Sequence, residues 1–146
     1  MDTCDINADQ QKPDLTWLVG RKIEKVEKEN YSWCFMLDDR SCIATESPWR
    51  LTMADKIMVT SNDHGHFFGL SVPVDAATRA MQIVTGDPIC SYELKKCTSD
   101  LVLYFTNGAI IELLNLSCGY EAWRTVHGAQ EIICMGGGSI SEITGR

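Results

Sequence analysis

The sequence predicts an α+β protein, mainly antiparallel β: two tandem β-meander repeats of about four strands each, bridged by one α-helix over about residues 75–85. Three observations lead there. Short apolar runs with strand-like alternation recur along the chain. A hairpin signal stands at Asn107-Gly108. Apolar landmarks return in the same order in two halves. The expected layout is a single domain over 13–146, with repeats over about 13–72 and 73–140, behind a loose acidic arm over 1–12.

The first repeat opens at Pro13-Asp14-Leu15 and runs to Gly20, a shortened helix start and stop. Gly20, Ile23 and Val26 are then matched at equal spacing by Gly86, Ile89 and Tyr92. A spacing of three breaks the alternation of a regular strand, so a β-bulge is expected in each copy. Trp33, Phe35 and Leu37 answer Leu101, Leu103 and Phe105, and Ile43 answers Ile111. Trp49-Arg50 answers Trp123-Arg124 after a longer excursion in the second copy, and Ile57-Met58-Val59 answers Ile132-Ile133-Cys134. Asp63-His64-Gly65 and Gly136-Gly137-Gly138 close the two passes.

Between the passes, Asp75 can cap a helix whose apolar stripe is Ala77, Ala80, Met81 and Val84, with Gly86 to end it. In the second copy, Asn107 and Gly108 suit a two-residue turn that sets Phe105 against Ile110 and Leu103 against Glu112. The corresponding turn in the first copy, Asp38-Asp39-Arg40, lacks glycine and is expected to be wider, strained or differently registered.

Composition narrows the function. A chain of 146 residues can bury about 70% of its unfolded surface without a metal or disulfide staple. Its formal net charge is -7, which disfavours nonspecific nucleic-acid binding. No apolar run reaches the ~18 residues of a membrane span. The start, Met1-Asp2-Thr3-Cys4-Asp5, lacks the pattern of a secretory signal, and the seven cysteines are an odd number with no C-x-x-C. These features lead to an expected cytoplasmic location with reduced thiols, mostly in the core, with Cys97 and Cys118 the most reactive.

Asp63-His64-Gly65-His66 is the most enzyme-like cluster, because an aspartate can orient an imidazole or join it on a metal. A glycine-containing loop that ends a strand is the plainer reading. Glu46-Ser47-Pro48-Trp49-Arg50 offers an Arg50–Glu46 pair and an aromatic anchor, or a tryptophan plug at the end of a sheet. The glycine run lacks the lysine and helix start of a P-loop and reads as a bend or close backbone approach. Asp38, Asp39 and Asp63 fall at turns, where they could steer a basic partner. No catalytic residue, metal ligand or cofactor is nominated.

In order along the chain stand Trp17-Leu18-Val19-Gly20-Arg21, Pro48-Trp49-Arg50-Leu51, Asp63-His64-Gly65, the Asp100–Gly108 hairpin, Tyr120-Glu121-Ala122-Trp123 and Gly136-Gly137-Gly138. This set resembles an uncharacterised family of small, mostly bacterial proteins and carries over no mechanism. In size, charge and lack of catalytic equipment the chain is also similar, as a class, to the immunity proteins that bacteria make against toxins from neighbouring cells. That likeness implies a non-enzymatic protein that binds a cognate basic toxin, plausibly a nuclease, over its active site. The expected contacts are Asp38, Asp39, Glu46, Trp49 if exposed, Asp63 and His64, on a chain that is monomeric or homodimeric when free. The alternatives are a small enzyme or metal- or ligand-binding module built on Asp63 and His64, and a structural homodimeric subunit.

Overall fold

The computed structural model describes residues 12–145. The arm expected over 1–12 therefore lies, apart from Lys12, outside the described residues. A 3-10 turn at Thr16–Leu18 precedes strands β1 (Ile23–Glu29), β2 (Ser32–Leu37), β3 (Cys42–Thr45), β4 (Trp49–Met53) and β5 (Lys56–Thr60). Helix α1 (Ala76–Val84) leads to β6 (Ile89–Leu94), β7 (Leu101–Phe105), β8 (Ile110–Leu113), β9 (Trp123–His127), β10 (Gln130–Cys134) and β11 (Ile140–Ile143). Among the described residues the protein is thus mainly antiparallel β with one α-helix.

Neither pass stays in one sheet, and each has more strands than expected. One sheet runs β1-β2-β3-β9-β10-β11 and the other β5-β4-β8-β7-β6. Each pass gives three strands to one sheet and then crosses to the other. The inward rows, Trp33, Phe35 and Leu37 on β2 with Leu101, Leu103 and Phe105 on β7, meet in one apolar cluster. Trp49 reaches across from β4 to lie edge-on to Trp33 and Phe35, each at 5.3 Å between ring centroids.

The spacing of three resolves as a strand with a bulge in both halves of the chain. The register of β1 on β2 shifts between Ile23 and Lys25, and that of β6 on β7 between Ile89 and Ser91. The extra residue turns Ile23 and Val26 to the same inward face, where both are buried.

The hairpin turns correct the expected register. Tyr104, not Phe105, faces Ile110, and Leu103 faces Ile111 instead of Glu112. The loop has three residues, closed by the Phe105 N–H donating to the Ala109 carbonyl at 2.9 Å. Asn107 Oδ1 accepts from the Ala109 N–H, and Asn107 Nδ2 donates to the Ile83 carbonyl at the end of α1. That register keeps Leu103 and Ile111 together on the core face, and a slip of one residue would have put Glu112 there.

The Asp38–Arg40 turn is built the same way. The Leu37 N–H donates to the Ser41 carbonyl at 2.9 Å, and Asp39 Oδ1 accepts from the Ser41 N–H at 3.0 Å. It is no wider than its counterpart. Its strain sits in Arg40, which takes φ 71° where the other hairpin has Gly108 at φ 90°.

Helix α1 begins at Asp75, whose side chain accepts from the Thr78 N–H, and buries Ala76, Ala80 and Val84. It packs on β1 and β5, across the gap between edges of the two sheets. Beyond it Gly86 turns the chain at φ 81°. The glycine run marks a close backbone approach. A Cβ on Gly136 would collide with the Gly119 backbone, and one on Gly138 with the Cys97 carbonyl.

Two substitutions test this frame. Arg40→Gly relieves a left-handed residue whose side chain is exposed, and should raise stability by about 1 kcal/mol in urea denaturation. Gly138→Ala should cost about 3 kcal/mol or more, because the obstructing atoms are backbone and the φ of 102° already disfavours a side chain.

Candidate functional site

The Asp63–His66 loop is committed to holding α1 against the sheet. Asp63 Oδ2 accepts from the Thr60 N–H at 2.9 Å and forms a reciprocal capping box with the Thr60 side chain. His64 Nδ1 accepts from the Ala76 N–H at 3.1 Å, a free amide of the first helical turn, and its ring lies edge-on to Trp33 at 5.2 Å. The Gly65 N–H donates to the Val74 carbonyl and the Val74 N–H to the His66 carbonyl, both at 2.8 Å. These two bonds pinch the base of a tongue.

The tongue carries a feature the sequence reading missed. Phe67, Phe68, Leu70 and Val72 are 52%, 67%, 55% and 67% exposed, side by side along the chain. The segment is not slack. The Leu70 N–H donates to the Phe67 carbonyl at 2.8 Å, and the Phe68 ring stacks on His66 at 5.5 Å. Ile57, on the edge strand that leads into it, is exposed as well. The available signal was a run of apolar residues without helix or strand period, set between Gly65 and Pro73.

The residues proposed from sequence are spread over several loops. Asp38 and Asp39 lie before β3 and Glu46 after it, while Asp63 and His64 follow β5 in the other sheet. Asp38 is 3.5 Å from Arg21 in an ion pair, and Glu46 is exposed. Trp49 is fully buried, so the anchor expected there is a core side chain. Among the described residues its buried Nε1 has no hydrogen-bond partner, whereas Trp123 Nε1 donates to the Ser99 carbonyl at 2.9 Å. Arg50 pairs in two-pronged fashion with Glu112, at 2.8 and 3.2 Å, instead of Glu46, because β4 lies beside β8 and places the two in register. Arg124 holds Glu121 and Glu131.

Asp39, Ser41 and His127 converge under Trp17, whose ring stacks on the imidazole at 4.3 Å. Ser41 Oγ is 2.7 Å and Asp39 Oδ2 3.5 Å from the same nitrogen, His127 Nδ1. A serine–histidine–carboxylate relay needs one partner on each ring nitrogen, so this arrangement cannot pass a proton along it. It anchors the hairpin instead. Burial alone would raise the Asp39 carboxyl; the bonds from Ser41 and the charges of Arg21 and His127 outweigh that and hold it below its usual value. The Asp75 carboxyl is also lowered, chiefly by the Thr78 N–H.

A shallow cavity of about 180 Å³ is lined by Glu46, Glu121, Arg124 and their neighbours, and a more open groove of about 400 Å³ lies between β1 and α1. His64 lines neither. Among the described residues no three or more His, Cys, Asp or Glu side chains are placed to hold a metal ion. Two amides of the glycine run are spent too, Gly137 donating to the Ser117 carbonyl and Gly138 to the Met135 carbonyl. Cys97, expected as a reactive thiol, is disulfide-bonded, while Cys118 is free and exposed. Among the described residues no helix is long and apolar enough to cross a membrane.

Comparison of the chain with protein-family models, curated proteins and solved structures returns no match.

Because the Asp39 and Asp75 carboxyls are lowered in the fold, the stability they contribute is present above the unfolded value of about 3.9 and is lost as the pH falls through their folded values. Urea midpoints between pH 5 and 3 should therefore fall more steeply for the parent chain than for an Asp39→Asn, Asp75→Asn double variant.

Proposed function

We propose that this chain is a non-enzymatic binding protein of the immunity type, which neutralises a basic toxin by seating on it and covering its active site. The observation that carries the reading is the ordered apolar tongue, Phe67 to Val72, on a chain of net charge -7. Large apolar side chains held rigidly in water cost little further entropy on docking and supply the desolvated centre that tight interfaces require. The acidic excess then supplies steering, with exposed Asp38 and Glu46 acting at a distance and the tongue as anchor. A nuclease is the partner class that best fits, since a phosphate-binding cleft is cationic and complements an acidic surface.

The proposed place of action is the cytoplasm, where the free Cys34, Cys42, Cys90, Cys118 and Cys134 suit a reducing environment. In that setting the Cys97 bond is expected to open. We also propose that the two passes descend from a tandem duplication. In its support, the order β1-β2-β3-β9-β10 has the same plan as β6-β7-β8-β4-β5, and both copies bulge at the corresponding step.

The test uses the purified chain and the basic C-terminal region of a large secreted protein encoded beside its gene. A 1:1 complex that abolishes the toxin's activity is expected, with an association rate that falls as salt rises. Phe67→Ser with Phe68→Ser should weaken it by about 100-fold, the scale of a hot-spot loss, while leaving the thermal midpoint nearly unchanged. Association that is flat with ionic strength would remove the steering, and an unchanged affinity in the double variant would remove the tongue.

A further inference from the structure

A cluster of three sulfur atoms lies on the outer face of the six-stranded sheet, away from the tongue's loop. Cys34 and Met36 are two residues apart on β2, so they share a face, and Met36 stands directly across from Cys42 on β3. Cys34 Sγ is 3.5 Å from Met36 Sδ, and the Cys34 and Cys42 thiols interact with each other. All three residues are half-buried, and both cysteines are free. None contributes to the core.

The register says what this cluster is not. Cys34 faces Ala44, so Cys34 and Cys42 are diagonal neighbours. Diagonal positions lie about 7–8 Å apart, beyond the Cα separation of roughly 4.4–6.8 Å that a disulfide spans. At that spacing the pair does not suit a disulfide, and both cysteines are free. A single ion between the sulfurs has no such restriction.

We propose that Cys34, Met36 and Cys42 form a binding site for a soft monovalent metal ion, Cu(I), with two thiolates and one thioether as ligands. Soft sulfur donors select Cu(I) over harder divalent ions. Zinc favours four ligands drawn from thiolate, imidazole and carboxylate, and among the described residues no such group of three or more is assembled. The thioether completes a three-sulfur set that those residue types do not. Binding displaces two thiol protons to solvent, and the thioether gives up none.

The surroundings favour that exchange. The Cys42 thiol is lowered, first by its bond to Cys34 and then by the Arg124 guanidinium, against burial and the Glu131 charge. Cys34 is raised, by the same bond and by burial, with Glu27 and Glu29 adding to it. Lys25, opposite Met36 on β1, and Arg124, opposite Ala44 on β9, flank the cluster, the first paired with Glu27 and the second with Glu121 and Glu131.

The experiment is an anaerobic Cu(I) titration of the whole chain against a chromophoric competitor, with X-ray absorption on the loaded protein. One ion per chain and a sulfur-only shell with three sulfurs are expected. Cys34→Ser or Cys42→Ser should weaken binding by about 100-fold and Met36→Leu by about 10-fold, with Cys90→Ser and Cys118→Ser unchanged. Circular dichroism on each variant checks the fold. Parent-like affinity in the Cys34→Ser, Cys42→Ser double variant, or nitrogen and oxygen ligands in the absorption spectrum, would overturn the site.

Discussion

Trp49 and Trp123 each begin the strand on which the chain has just changed sheets, and both rings are sealed in the core. The crossing segments are laced together next to them. The Glu46 N–H donates to the Ala122 carbonyl, the Leu114 N–H to the Pro48 carbonyl, and the Ser47 hydroxyl to the Leu114 carbonyl. Because each pass splits its strands between both sheets, separating the sheets would require pulling both crossovers apart and exposing both indoles. The long-range pairing of β3 with β9 and of β4 with β8 follows from this one constraint.

That frame consumes polar chemistry. His64 is spent on the first turn of α1, Asp63 on a capping box, Asp39 and Ser41 on one hairpin, and Asn107 on the other. Side chains that look reactive in a linear reading are satisfying backbone groups that would otherwise be buried without a partner, at a cost of about 1–3 kcal/mol each. The frame leaves unspent, among others, the apolar tongue before α1 and the sulfur cluster on the outer sheet face. Both are displayed on well-bonded backbone, the tongue through its pinched base and the sulfurs through the ladder of β2 on β3.

Local rules could be read from the chain where the interaction was local. The cap at Asp75, the stop at Gly86 and the bulges after Ile23 and Ile89 depend on residues within a few positions of one another. The hairpin at Asn107 shows where that reading stops. Asn-Gly favours a two-residue turn in isolation, yet Nδ2 of Asn107 bonds to the carbonyl of Ile83 and the core needs Leu103 beside Ile111. The expected Arg50–Glu46 pair failed for a similar reason, since the register of β4 on β8 brought up Glu112.

By itself, the sequence determined the strand-rich class, the place of the helix, the two bulges and the negative charge, because alternation, capping and net charge are sums over neighbouring residues. Only the tertiary structure decided which sheet each strand joined, that Trp49 is core, and that the Asp63–His66 loop clasps a helix. It also decided that the Phe67–Val72 segment faces water and that three sulfurs share one face. Those outcomes rest on pairings between segments tens of residues apart, which no local pattern encodes.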